Sequence, residues 1–267
     1  MTLKLADSHT HLNQLKNMHQ FLESAEEVKL FINIGTLLED DFSPLLKYQE
    51  IYCTYGIHPN DYLKEKNSLN FQKYEDMDVI ENILRSKISQ TEKCVGIGET
   101  GLDFHYGEEN KIQYQLLHMQ LALAKELKKT VSIHARGCNL ADLIKIIASY
   151  KVKFVLHCYT YDLKNALLAI ENGGYISFSG VLTFGKKVQE LEEVARHLPQ
   201  ERIVIETDAP YLAPTPYRGK ENHPKYLIKI AEHLAHLRKE SLEETAFYTF
   251  KNTCELFNIN ASKTDNH

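Results

Sequence analysis

The chain has 267 residues, 43% hydrophobic and 25% charged, with a formal net charge of −5. This is globular composition, which excludes a disordered or fibrous chain. The charge excludes a wide basic face wrapped around duplex DNA, so any nucleic-acid contact is expected to be weak, local and helped by metal. Five cysteines (Cys53, Cys94, Cys138, Cys158 and Cys254) include no Cys-x-x-Cys pair, and several lie in apolar runs. They read as buried free thiols in a reducing compartment. With no signal-peptide pattern and no membrane-length apolar window, a soluble cytoplasmic protein is expected.

The first strand is predicted over 3–6 and runs into Asp7-Ser8-His9-Thr10-His11. Residues i and i+2 of an extended chain share a side, so His9 and His11 project together, about 7 Å apart along the backbone. A helix is expected over 15–27, a strand over 29–35, a helix over 39–49 and a strand over 51–59, ended by Pro59. A polar loop at 60–69 and a helix over 74–89 follow, then a strand over 93–98 that ends in Glu99-Thr100-Gly101-Leu102-Asp103. The helix of 109–128 shows one apolar face of Ile112, Leu116, Met119, Leu123 and Leu127.

The pattern then repeats: strand 130–134, helix 140–150, strand 153–157, helix 163–172, strand 175–179, helix 188–197, strand 202–206. A loop punctuated by proline and glycine covers 211–221, and two more helices close the chain. The second opens on the capping-box pattern Ser241-x-x-Glu244. Residues 258–267 read as a frayed tail. Eight strands, each followed by a helical stretch, match an α/β chain folded as a (β/α)8 TIM barrel, one domain over 1–267. An open doubly wound sheet would instead show a glycine-rich phosphate turn after its first strand, where Asp-x-His-x-His stands here.

In such a barrel the C-terminal strand ends carry the chemistry. Those ends supply His9, His11, His58, Glu99, His134, His157, Glu206 and Asp208. So many imidazoles and carboxylates at one rim are costly unless something binds them, and a divalent metal does. The donors suit zinc, manganese, iron, nickel or cobalt better than magnesium, which prefers oxygen. Even four of these histidines with two of these carboxylates exceed the ligands of one catalytic zinc, so two divalent metal ions with Glu99 as bridge are expected. Metal-activated water then hydrolyses a phosphoester or amide-like bond, with Asp208 orienting the water and accepting its proton.

Several motifs reinforce this site. They are Asp7-Ser8-His9-Thr10-His11, Gly56-Ile57-His58-Pro59, Gly96-Ile97-Gly98-Glu99-Thr100-Gly101-Leu102-Asp103, Ile133-His134-x-Arg136, Leu156-His157-Cys158, Phe178-Ser179-Gly180 and Ile205-Glu206-Thr207-Asp208-Ala209-Pro210-Tyr211-Leu212-Ala213-Pro214. With the helix at 113–127, they resemble the TatD family of metal-dependent deoxyribonucleases over nearly the whole chain. The resemblance implies His9, His11, Glu99 and Asp208 around one metal and Glu99, His134 and His157 around another. It also implies a magnesium- or manganese-stimulated nuclease acting on DNA ends, commonly from the 3′ end, with zinc often in crystallised sites. The family usually has Arg-Asp after the fifth-strand histidine and His-Cys-Phe-Ser-Gly at the sixth. This chain has Arg136-Gly137-Cys138 and His157-Cys158-Tyr159-Thr160-Tyr161, which leaves the metal ligands intact and alters the substrate-facing loops. Arg218 and Gly219 with Asn222-His223-Pro224 fit the family's loop of arginine, glycine, asparagine and proline.

Other candidates carry two readings each. Arg136 and Arg218 are a phosphate clamp or surface ion pairs. His58 bonds substrate or a ligand, or holds a turn. Lys186 and Lys187 guide a phosphate backbone or are simply solvated. Glu206 and Asp103 support ligands or sit in salt bridges. Tyr159, Tyr161, Tyr211 and Tyr217 stack on bases or anchor loops. His105, His118, His223, His233 and His236 receive no role. The expected activity is a deoxyribonuclease acting on single strands or ends, with no membrane and no obligate protein partner. The alternative is a small-molecule phosphoesterase or amidohydrolase using the same site. A non-enzymatic barrel would need a damaged site, and none of the six ligands is missing.

Overall fold

The first apolar run does not stop at residue 6. In the computed structural model it continues as β1 (Leu5–Thr10), buried throughout, so His9 lies inside a strand and His11 directly after it. The structure describes residues 3–16, 18–61, 76–105 and 111–260. The remaining strands are β2 (Val28–Ile34), β3 (Ile51–Tyr55), β4 (Cys94–Asp103), β5 (Thr130–Arg136), β6 (Phe154–Leu156), β7 (Gly174–Phe178) and β8 (Ile203–Ile205). All pair in parallel with their sequence neighbours in a single sheet of order β1 to β8.

Residues just beyond β8 close that sheet back onto β1. Asp208 N–H donates to the His9 carbonyl at 2.9 Å and His11 N–H to the Ala209 carbonyl at 2.8 Å. The buried Asp7 carboxylate accepts the Thr207 amide at 2.9 Å and the Thr207 hydroxyl. With helices between all sequence-neighbouring strands except β2 and β3, this is the expected (β/α)8 barrel. The helices are α1 (Met18–Glu23), α2 (Met77–Gln90), α3 (Lys111–Leu127), α4 (Leu140–Tyr150), α5 (Leu163–Glu171), α6 (Gln189–His197), α7 (Leu227–Arg238) and α8 (Leu242–Phe257).

Alternation along β2 separates the two cores. Leu30, Ile32 and Ile34 belong to a cluster with Val204, Phe250, Leu256 and Phe257, while Phe31 joins the larger cluster under the outer helices. The aromatic residues of α8 therefore plug one end of the barrel. Its Leu256 carbonyl accepts the Thr130 hydroxyl at the start of β5, which identifies that end as the N-terminal one. The predicted Ser241–Glu244 capping box starts α8. Asp76, Asn139 and Asp162 cap α2, α4 and α5 through side-chain oxygens, each worth about 1 kcal/mol.

Four expectations need correction. No helix forms over 39–49: Asp40 accepts the amides of Thr36 and Leu37, and Asp41 that of Ser43. These local bonds compete with helix, and Pro44 lacks the N–H a helix interior needs. The helix at 15–27 shrinks to α1 after a 3-10 turn at Leu12–Gln14. The buried face of α3 is wider than predicted: Leu116 and Leu123 are buried and Met119 and Leu127 pack against the core as expected, but Ile112 is exposed, and Gln113 and Gln120 are buried beside Leu117, Leu121 and Ala124. The tail begins later than expected, since Ile259 is buried. The predicted loop at 60–69 beyond 61, the starts of the 74–89 and 109–128 helices, and the tail beyond 260 lie outside the described residues. Among the described residues no helix is long and apolar enough to cross a membrane.

Candidate metal centre

Two glutamines of α3 explain how the strand ends are aimed. Gln120 Oε1 accepts the Ile57 amide at 2.8 Å, and its Nε2 donates to the Ile57 carbonyl at 3.2 Å and Thr100 Oγ1 at 2.7 Å. The amide thus stands in for a strand neighbour next to His58. Gln113 does the same for Asp103, accepting its N–H at 2.9 Å and donating to its carbonyl at 3.0 Å. Between these anchors, β4 carries Glu99 across a register irregularity relative to β5. Gly101 has φ +151°, and a Cβ there would lie 1.9 Å from the His134 carbonyl oxygen, so only glycine lets the two strands approach.

Side chains from β1, β4, β5, β6 and β8 or the residues just after them converge at this end. His9 Nε2 and His11 Nε2 are 3.3 Å apart. Glu99 Oε2 lies 3.4 Å from His9 Nε2 and 3.8 Å from His11 Nε2. Asp208 Oδ1 closes this group, 3.7 Å from His9 Nε2 and 3.4 Å from His11 Nε2. The other oxygen, Glu99 Oε1, lies 2.7 Å from His134 Nδ1 and 2.8 Å from His157 Nε2. Asp208 reaches in because its backbone takes the left-handed region, φ +56°, which aspartate tolerates better than most residues.

Each imidazole offers one nitrogen to the centre and has the other beside an oxygen. His11 Nδ1 donates to the Ile34 carbonyl at 3.0 Å, which leaves Nε2 as an inward lone pair. His9 Nδ1 is 3.2 Å from Ser132 Oγ, and His134 Nε2 is 3.1 Å from Asp103 Oδ2. His157 Nδ1 is 3.4 Å from Glu206 Oε1, an oxygen that also accepts the Cys158 amide at 2.7 Å. Such outer contacts fix ring orientation and tautomer at metal sites. Asp103 and Glu206 therefore stand behind histidines. Ser132 and the Ile34 carbonyl escaped the sequence because nothing in a strand's own pattern marks which neighbour faces it.

Burial alone would push the Glu99 carboxyl up, but the charges of His157 and His58 and contacts from His134 and His157 hold it well below its ordinary range. Burial opposes charge on His157, yet Glu99 and Glu206 hold that imidazole well above its usual value. His58 behaves oppositely: burial brings it down to about 4, so it is neutral at pH 7.

Among the described residues, four triads bring one ligand atom per residue within 4.8 Å: His9–His11–Glu99, His9–His157–Asp208, Glu99–His134–His157 and His58–Asp103–His134. Among the described residues no lysine or arginine pairs with Glu99 or Asp208. Buried lone pairs and carboxylates facing each other without such a cation fit a divalent metal, and the mixed nitrogen–oxygen donors suit a transition ion.

The other candidates sit around this cluster. His58 Nε2 is 3.3 Å from His134 Nδ1 and 3.7 Å from Glu99 Oε1. Arg136 is exposed at the end of β5; burial raises the Asp103 carboxyl, but the bonds from His134 and His105 and the charges of His134 and Arg136 bring it below its ordinary value. Arg218 is exposed, with its guanidinium 4.3 Å above the Phe184 ring. Tyr159 is buried and its hydroxyl donates to the Asp162 carbonyl at 2.6 Å, which makes it a loop anchor. Tyr217 stacks on Tyr226 at 3.9 Å. The side chains of Lys186 and Lys187 lie outside the described ones.

A barrel with histidines and carboxylates gathered at its C-terminal mouth defines the class of metal-dependent hydrolases. The match to the family described as TatD related DNase runs over residues 6–258, and the chain belongs to that family. It is 36% identical to an uncharacterized metal-dependent hydrolase, BU355, of Buchnera aphidicola, over 96% of this chain and 99% of that one. It is 34% identical to the uncharacterized metal-dependent hydrolase YcfH of Escherichia coli, over 97% of each. The crystal structure of the TatD homologue YJJV from E. coli superposes with a TM-score of 0.83 at 27% identity, covering 97% of this chain and 100% of that one.

Proposed function

We propose that this hydrolase is a deoxyribonuclease that cleaves phosphodiester bonds of single-stranded DNA or DNA ends, trimming from the 3′ end, and that it works with two divalent cations in the cytoplasm. The observation that carries the two-cation reading is the division of Glu99: Oε2 faces His9 and His11, and Oε1 faces His134 and His157. His9, His11, Glu99 and Asp208 would hold one cation, and Glu99, His134 and His157 the other. Bound there, divalent cations make water acidic near neutral pH and draw electron density from the phosphoryl group and leaving oxygen.

The chain supplies the rest. Asp208, at the rim of the same cluster, takes the proton of the attacking water on its carboxylate. His58 accepts the Asn60 amide at Nδ1, 3.2 Å away, so its neutral ring carries the proton on Nε2, aimed toward Glu99 and His134. That N–H donates to a phosphoryl oxygen. Arg136, exposed at the end of β5, and Arg218, exposed on the loop after β8, pair with the flanking phosphates. With few such cations and a net charge of −5, binding stays local, which favours ends and single strands over long duplex.

The test is digestion of end-labelled single-stranded DNA, duplex DNA and RNA by chelated protein reloaded with Mg²⁺, Mn²⁺ or Zn²⁺. Chelator-sensitive shortening of single-stranded DNA from the 3′ end is expected. Turnover of small phosphoesters, amides or lactones with DNA untouched would transfer the assignment to the small-molecule alternative.

A further inference from the structure

The mouth carries an aromatic ring that the hydrolytic centre does not use. Tyr211 follows Asp208 by three residues and is 53% exposed, yet its position is fixed. Its N–H donates to the Asp208 carbonyl at 2.8 Å. Its own carbonyl accepts Asn222 Nδ2 at 2.6 Å. Its hydroxyl donates to Gln14 Oε1 at 2.7 Å, tying the loop after β8 to the loop after β1. The ring stands edge-on to His11, with centroids 6.1 Å apart and planes at 73°. A flat, immobile, water-exposed surface therefore lies beside a candidate metal ligand. Of the other aromatics named for this role, Tyr159 is buried, Tyr161 lies tilted against Tyr159 with its hydroxyl donating to the Cys138 carbonyl, and Tyr217 is stacked on Tyr226; Phe184 lies under Arg218.

Leaving a tyrosine half exposed and holding it still orders a side chain without burying much of it. A partner that covers the ring recovers this, and a ring already immobile loses little further entropy on binding. The flat groups attached to a phosphodiester in nucleic acid are its bases, and bases stack on aromatic rings with little regard to sequence. We propose that Tyr211 is the platform on which the base next to the scissile phosphodiester stacks, which makes the substrate a nucleoside-bearing diester rather than any diester. This rests on the phosphodiesterase reading above and adds the residue that recognises the nucleoside.

Two chromogenic esters separate the claims: the p-nitrophenyl ester of thymidine 5′-monophosphate, and methyl p-nitrophenyl phosphate, which has no base. Wild type loaded with Mn²⁺ is expected to prefer the nucleoside ester in kcat/KM. Tyr211→Ala should shrink that preference roughly tenfold or more, chiefly through KM. Tyr211→Phe, which keeps the ring and loses the Gln14 bond, should retain most of it. Bound metal, measured by elemental analysis, should be equal in all three proteins. An undiminished preference in Tyr211→Ala overturns the proposal, and so does an equal fall on both esters or a loss of metal, which would make Tyr211 a support for His11. Cleavage of the methyl ester with no preference for the nucleoside ester overturns the platform alone. Failure to cleave either ester removes the phosphodiesterase reading beneath it.

Discussion

Glu99 Oε1 lies 2.7 Å and 2.8 Å from two imidazoles while Oε2 lies 3.4 Å from a third, so a change at this carboxylate reaches both halves of the centre. Glu99→Gln keeps the shape but removes the charge. Metal affinity for both positions should fall by at least about tenfold, read by competition with a chromogenic chelator. Asp208→Asn should lower the hydrolytic rate about 10²–10⁴-fold with an unchanged far-UV spectrum; an unaffected rate refutes its role as base. Asp103→Ala takes away the oxygen beside His134 Nε2 and should cost about 10–100-fold in metal affinity, because the ring can then turn. The inward-facing residues were legible because each ends or follows an apolar strand. Their supports were less so: Ser132 looks like any strand serine until folding brings it to 3.2 Å from His9.

At the scale of elements, α3 shows what periodicity leaves out. Its apolar spacing correctly announced a helix, but two buried glutamines set its rotation by satisfying the backbone of residues 57 and 103. Amphipathic patterning treats Gln120 as polar and turns it outward; the Ile57 backbone beyond β3 and the Thr100 hydroxyl give it a reason to be inside. Gln120→Leu leaves the Ile57 N–H and C=O without that partner and should destabilise the fold by about 1–3 kcal/mol in urea denaturation. An unchanged midpoint would show that the amide is dispensable. The failed helix at 39–49 has the same origin, since Asp41 captures the Ser43 amide that a helix would have used, while Asp40 closes a turn on Thr36 and Leu37. Strand order was legible for a simpler reason. Each strand pairs with its sequence neighbours, so chain order and spatial order coincide.

Across the whole molecule, the candidate ligands come from both ends of the barrel sequence, and the β8-to-β1 closure brings Asp208 to His9 and His11. Cations held there would tie the first strand to the last. Removing them should therefore lower thermal stability as well as activity. At a free metal concentration a hundred times its Kd, one site contributes about 2.7 kcal/mol, so chelation should depress the Tm by several degrees and re-addition should restore it. A Tm indifferent to chelator would mean that no tightly held ion bridges these strands. The most direct measurement is anomalous diffraction from crystals of the Mn²⁺-loaded protein. Two manganese peaks are expected, one beside Glu99 Oε2 among His9, His11 and Asp208, the other beside Oε1 between His134 and His157. A single peak, or peaks away from Glu99, would contradict the two-cation centre.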